Sequence, residues 1–162
     1  MPYFPQTYRR TVRSSDRERI REIVASTGFF SPEELNIAIE LVDEHLQKGV
    51  ASGYSFLFAE QSDTVVGYAC YGPIPGTAAS YDLYWIAVHA DFQRQGWGKD
   101  ILAQTEALIA AQKGQNIYID TSSRSQYEPT RKFYRDYGYR QCAFFEDFYA
   151  PGDSKVVYVK NM

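Results

Sequence analysis

The stretch Val88-His89-Ala90-Asp91-Phe92-Gln93-Arg94-Gln95-Gly96-Trp97-Gly98-Lys99 carries the residue types and spacing that point most directly to chemistry. An apolar run ends at Val88, a short turn follows, and a glycine-bearing loop opens a segment of helical periodicity. The first backbone N–H groups of a helix lack internal partners and point outward. The helix dipole makes that end partly positive. Gly96 and Gly98 remove side chains, so a diphosphate can approach the backbone, and Arg94 and Lys99 add positive charge. By mechanism this is an anion cradle. Two other phosphate loops are excluded. A GxGxxG pattern needs glycine at the position held by Ile101, and no GxxxxGK[ST] pattern occurs.

Gln93-Arg94-Gln95-Gly96-Trp97-Gly98 also matches the Q/R-x-x-G-x-G/A motif. Downstream, Thr130-Arg131-Lys132-Phe133-Tyr134-Arg135-Asp136-Tyr137-Gly138-Tyr139 matches a helix of the form A-x-x-F-Y-x-x-x-G-F. On these two motifs, in this order, the chain resembles the GNAT superfamily of acyl-CoA-dependent N-acyltransferases. The resemblance implies acetyl-CoA as co-substrate; the two histidines and two cysteines show no metal-ligand spacing, so no metal is expected. Backbone groups of Ile86, Ala87 and Val88 would pair with the pantetheine arm like an added strand. The amides of residues 94–99 would hold the diphosphate, so Gln93, Arg94, Gln95, Gly96, Trp97, Gly98 and Lys99 are expected at the cofactor. Tyr127 and Arg131 join them; Arg131 and Lys132 are candidates for the adenosine 3′-phosphate or for a plain solvated helix face. The thioester would sit near Tyr134. The chain departs from the pattern at Tyr127, where many members have Asn, and at Thr130, where Ala is common.

The implied reaction is attack of a neutral amine on a thioester carbonyl. It needs a proton acceptor, an oxyanion stabiliser and a proton donor for the leaving thiolate. A phenol suits the last task, and Tyr134 matches the family's tyrosine for it. Asp82 stands six residues before Val88, where some members carry a catalytic Glu, and strand alternation puts it on one face with Tyr84, Ile86 and Val88. Asp120 ends the neighbouring strand and is a candidate for the substrate's ammonium or for the base, and Tyr84 for the acceptor pocket. Glu60, His89 and a water chain remain alternative bases. His89 suits a turn role better than that of a base, and His45 reads as surface or core filler. The aromatics Tyr81, Tyr84, Tyr127, Phe144, Phe145, Phe148 and Tyr149 are candidates for the acceptor pocket or for core packing.

The elements that must position these groups read as follows. Tyr8 to Arg13 is a strand. A helix follows, started by a capping box of Ser15 with Glu18 and carrying Ile20, Ile23, Val24 and Thr27 on one face. Ser31-Pro32-Glu33-Glu34 opens a second helix with the stripe Leu35, Ile39, Val42 and Leu46, ended by Gly49. Strands span Tyr54–Glu60 and Thr64–Tyr71 about a turn at Gln61-Ser62-Asp63, and Tyr81–Val88 is a central strand. A helix spans Gly98–Lys113 with Gly114 as C-cap. Asn116–Thr121 is a strand, and Pro129 opens a helix ending at Tyr137-Gly138. Arg140–Tyr149 and Ser154–Lys160 are the last strands. The order β-α-α-β-β-β-α-β-α-β-β implies a mixed sheet with helices on both faces, and the family resemblance implies an α/β (α+β) fold with a central sheet of about seven strands, mostly antiparallel and flanked by helices. The family resemblance extends to this order and adds a splay between Tyr81–Val88 and Asn116–Thr121, caused by a bulge.

With 162 residues, the chain reads as a single N-acetyltransferase domain, 1–162. Its 44% hydrophobic and 23% charged residues exclude general disorder. A net charge of −3 argues against nucleic acid as a partner. Met1–Pro5 lack a leader pattern and no apolar run suits a membrane helix, so a cytoplasmic protein is expected. Cys70 and Cys142 sit in apolar runs and read as buried free thiols rather than a disulfide framework or a nucleophile. The expected activity is acetyl transfer to a primary amine of a small or amino-acid-like acceptor, by a monomer or homodimer. A non-catalytic acyl-CoA-binding module and a protein acetyltransferase are the alternatives.

Overall fold

Alternating apolar strands and amphipathic helices assemble in the expected order. The computed structural model describes residues 6–162; Met1–Pro5, on which the leader reading falls, lie outside the described residues. The strands are β1 (Gln6–Arg9), β2 (Ser55–Gln61), β3 (Thr64–Pro73), β4 (Ser80–Val88), β5 (Asn116–Ser122), β6 (Arg140–Ala150) and β7 (Asp153–Asn161). The helices are α1 (Asp16–Ser26), α2 (Pro32–Lys48), α3 (Trp97–Ala111) and α4 (Glu128–Asp136). The strands form one seven-stranded sheet in the order β1-β2-β3-β4-β5-β7-β6. The β1–β2, β2–β3, β5–β7 and β6–β7 ladders are antiparallel, and β4 runs parallel to β5. That last ladder pairs Ser80 with Asn116, Tyr81 with Ile117 and Asp82 with Tyr118, and stops there.

By its contacts the chain divides into two compact units. One comprises residues up to Gly72 with Trp85–Leu108, the other Pro73–Tyr84 with Ile109–Met162. In the first, Ile20, Ile23 and Val24 of α1 and Ala38, Ile39 and Val42 of α2 are buried. In the second, Ile117 and Ile119 of β5, Val156 and Tyr158 of β7 and Tyr134 of α4 are buried. No described helix is long and apolar enough to cross a membrane.

Local signals set most boundaries. Ser31 accepts the Glu34 N–H at 3.1 Å while Glu34 returns the bond to the Ser31 N–H at 3.2 Å, a complete capping box with Pro32 in the first turn. Ser62 and Asp63 both have positive φ, 50° and 65°, as a two-residue hairpin turn demands.

Five expectations are corrected. β1 ends at Arg9 rather than Arg13, because residues 10–15 fold about the buried Asp16 carboxylate. That carboxylate takes the Arg9 guanidinium and the Arg13 N–H at 2.7 Å. Ser15 therefore sits in helical geometry with no side-chain cap, and its capping box with Glu18 is absent. Leu46 lies 40% exposed, off the buried stripe of α2. Past α3 the left-handed residue is Lys113, at φ 66°, rather than Gly114. Gly114 is needed for space instead: a Cβ there would lie 2.4 Å from Ile109 Cγ2 and 2.8 Å from the Tyr81 ring. Cys142 is exposed, since it falls on the edge strand β6 where the ladder with β7 slips between Gln141 and Ala143. Cys70 is buried as expected.

Candidate active site

The glycine loop begins where β4 ends. The His89 N–H donates to Val66 O at 2.8 Å, and the Ala90 N–H donates to Ser26 Oγ at 3.0 Å. His89 Nδ1 accepts the Asp91 N–H at 3.1 Å, a turn role. Gln93 Nε2 donates to Val88 O at 3.1 Å, tying the loop back onto the strand, so its side chain is engaged within the loop. Arg94 and Gly96 take positive φ, 63° and 90°. The Asp100 N–H donates to Gly96 O at 3.1 Å, the first bond of α3. The amides of Trp97, Gly98 and Lys99 thus precede the helix's own acceptors. The Trp97 side chain is buried and fixes this start. Arg94, Gln95 and Lys99 are exposed. A Cβ at Gly96 would meet nothing within 4 Å, so the loop has open space above it. Fixed amides, two free-facing cations and that space fit a diphosphate.

Gly67 on β3 escaped the sequence reading. A Cβ there would lie 2.8 Å from Ala87 O, 2.9 Å from Ile101 Cδ1 and 3.2 Å from Val88 Cγ2. Its missing side chain lets β3 approach the end of β4, where Ile86 and Val88 are half-buried and Ala87 is buried. A glycine inside an apolar strand was the available signal.

In the other unit, Asp82 is half-buried, and its carboxyl is pushed above its ordinary value. Burial is the main cause and the charge of Asp120 the second, opposed by a hydrogen bond from Tyr84 and by Lys155. Asp120, the expected ammonium binder, is paired with Lys155 Nζ at 3.1 Å. That ammonium lies 4.6 Å from the Phe148 ring centre and 5.7 Å from that of Phe145. Lys155 was missed; a cation just ahead of the apolar run of β7 was its only sign.

Tyr134 is buried in α4, its ring 5.4 Å from Phe133 and 5.7 Å from Tyr139. Burial pushes its phenol upward, so the hydroxyl stays neutral and able to donate. Gly138, at φ 93°, ends the segment, and the Tyr139 N–H donates to Tyr134 O at 3.0 Å. Tyr127 is buried, with Arg124 over its ring at 5.1 Å and donating to its hydroxyl at 3.4 Å. Arg131 turns onto the β5–α4 connection, donating to Ser122 O, Arg124 O and Glu128. Lys132 pairs with Asp136.

The remaining candidates are engaged elsewhere. Glu60 binds Arg9 at 2.7 Å. His45 Nδ1 lies 2.6 Å from Tyr54 O. Tyr81 is buried and donates to Gln112 at 3.0 Å. Phe144, Phe145, Phe148 and Tyr149 are exposed on β6. Among the described residues no cluster of three or more His, Cys, Asp or Glu could hold a metal ion.

The acetyltransferase (GNAT) domain model matches residues 52–141. A GNAT-family protein from Desulfovibrio desulfuricans is 43% identical, covering 97% of this chain and 99% of its own, with a TM-score of 0.93. An aminoglycoside 6′-N-acetyltransferase complexed with coenzyme A shares the fold at 15% identity, with 96% of each chain covered and a TM-score of 0.74. The ribosomal-protein-alanine N-acetyltransferase from Brucella melitensis does so at 19% identity, with 96% and 99% covered and a TM-score of 0.76. No curated protein matches significantly. A domain match over more than half of the chain and a 43% identical relative along almost all of it lead to one conclusion: the chain belongs to the GNAT family of acyltransferases.

Proposed function

We propose that the chain, working as one domain over 1–162, transfers an acetyl group from acetyl-CoA to a primary amine of a small or amino-acid-like acceptor. The transfer is by direct attack with both substrates bound. Acetyl-CoA supplies the acyl group activated as a thioester. The amides at the start of α3, with Arg94 and Lys99, bind its diphosphate, and backbone groups of Ile86–Val88 align its pantetheine arm. Asp82 accepts the proton of the acceptor's ammonium. The Tyr134 hydroxyl donates to the departing sulfur. Tyr84 orients Asp82 and faces the acceptor. A cytoplasmic setting suits the two free thiols.

One observation carries the reading beyond the family: Asp82 is a half-buried carboxylate on β4 with a raised proton affinity, its ionised form favoured by Tyr84 and Lys155. A carboxylate tuned upward by burial and a like charge is what a base near neutral pH requires. The CoA-complexed aminoglycoside enzyme supports the choice of donor. Calorimetry with acetyl-CoA and thiol release over a panel of amines test the proposal. Binding with turnover on at least one amine is expected. Gly96→Glu, which fills the open space over the loop, should abolish binding in a folded protein. Tight acetyl-CoA binding with no thiol release on any amine or peptide would replace the enzyme by a cofactor-binding module.

A further inference from the structure

Three charged residues from three strands lie on a diagonal of one sheet face. Asp82 on β4 stands opposite Tyr118 on β5, and Asp120 follows two residues later on the same side of β5. Asp120 pairs in register with Val157, and Lys155 stands two residues from Val157 on β7. Diagonal neighbours of this kind are within reach of long side chains. Lys155 Nζ makes that reach, 3.1 Å from Asp120 Oδ2.

The lysine is not a loose surface cation. Its side chain is only 21% exposed, and its ammonium sits over the Phe148 ring at 4.6 Å. Lys155 is in register with Phe145 on β6 and Ser122 on β5, so neighbours flank it on both sides. The Phe148 ring gives the ammonium a second attraction that Asp120 alone would not supply.

We infer that Asp120 and Lys155 are a positioning pair for Asp82: Lys155 neutralises Asp120, and so leaves Asp82 free to ionise and take up the acceptor's proton. This rests on the reading of Asp82 as proton acceptor. Two carboxylates on neighbouring strands resist ionising together. Without the lysine, the half-buried Asp82 is the one that keeps its proton, because burial already disfavours its charge. Asp120 is half-exposed and paired with Lys155. The groups acting on Asp82 are Tyr84 on its own strand, Asp120 on β5 and Lys155 on β7. Tyr84 and Lys155 favour its ionised form, and Asp120 opposes it. Asp120 therefore does not present a free carboxylate to the acceptor; an ammonium binding there would have to displace Lys155.

The test uses the full chain and two independent readouts. Carbon-detected NMR titration of the Asp82 carboxyl reads the effect directly, whether or not Asp82 is the base. Lys155→Met should move that titration upward by about one pH unit or more, within the ~1–3 units that a nearby opposite charge exerts. Asp120→Asn should move it downward. The double variant should lie between the two, and Lys155→Arg should restore the parent's value. The acid limb of the pH–rate profile should follow, a one-unit shift appearing as an about tenfold lower rate on that limb in Lys155→Met. An Asp82 titration unmoved by Lys155→Met, or moved in the same direction by Asp120→Asn, overturns the inference. A titration that moves while the rate profile stays fixed upholds the pair and removes Asp82 as the base.

Discussion

Tyr84 stands two residues from Asp82 on the same face of β4, and it favours the ionised form of the Asp82 carboxyl. One strand thereby supplies both the candidate base and the group that orients it. Ladder pairing with β5 holds Asp82 itself, at Tyr118. Position is set by backbone, and proton affinity by what surrounds the carboxylate.

Asp82→Asn separates function from stability. Burial raises the proton affinity of Asp82 in the folded chain above its unfolded value. The folded state thus binds more protons between the two values, and Asp82's contribution to stability declines as pH rises through that window. Above it, the buried charge costs stability at every pH. Asn removes this cost at constant size. The variant should melt higher than the parent at pH 8, the difference fading toward pH 4, while turnover falls and acetyl-CoA affinity holds. Equal melting temperatures at both pH values, with undiminished turnover, would leave Asp82 an ordinary strand residue.

Gly67→Ala should reach the cofactor from the opposite side of β4. The new methyl would meet the Ala87 carbonyl oxygen at 2.8 Å, a backbone atom that can yield only by moving the strand. Overpacking of this kind costs about 1–3 kcal/mol. The displaced segment, Ile86–Val88, is the one proposed to align the pantetheine arm. Melting temperature should fall and the acetyl-CoA dissociation constant should rise together. Lower stability with unchanged affinity would show that the strand end does not touch the cofactor.

Signals confined to a few residues were legible in the sequence. Ser31-Pro32 with Glu34 forms its cap whatever lies beyond, and Gln93–Gly98 opens a helix as its glycines require. Ser15 failed although it carries the same pattern. Its helix start is governed by Asp16, whose partner Arg9 arrives from β1. Lys155 was invisible for a related reason. Only the β5–β7 register brings it to Asp120, and register between distant strands leaves no local mark. Arg131 shows the converse: its motif position was legible, but the carbonyls of Ser122 and Arg124 claim its guanidinium.

Asp16→Ala tests the strongest of these distant contacts. The Asp16 side chain is 3% exposed and faces Arg9, which also binds Glu60. Deleting the carboxylate leaves a largely buried guanidinium with only Glu60 and the Thr11 carbonyl to accept from it, and frees the Arg13 N–H. Removing one member of a buried pair costs about 3–5 kcal/mol, and the retained Glu60 places the expected loss near the lower end. Urea unfolding measures it. A loss under about 1 kcal/mol would mean that the cluster behaves as a surface pair.

Tyr134→Phe deletes one oxygen and keeps the ring that packs against Phe133 and Tyr139. Burial raises the phenol's proton affinity, so its ionisation should not limit the rate below pH 10. The parent's alkaline limb, if one appears there, must come from another group. A hydroxyl that serves only packing would cost about 1 kcal/mol when lost, with turnover unchanged. A hydroxyl that donates to the departing thiolate should lower kcat by roughly 10²–10⁴, the span of general acid catalysis. The dissociation constant for acetyl-CoA should move far less, because the donated proton matters mainly in the transition state. Steady-state thiol release from parent and variant, with melting curves as control, distinguishes the two. A fully active, fully folded phenylalanine variant would remove Tyr134 from the reaction and leave the α4 motif as a packing element.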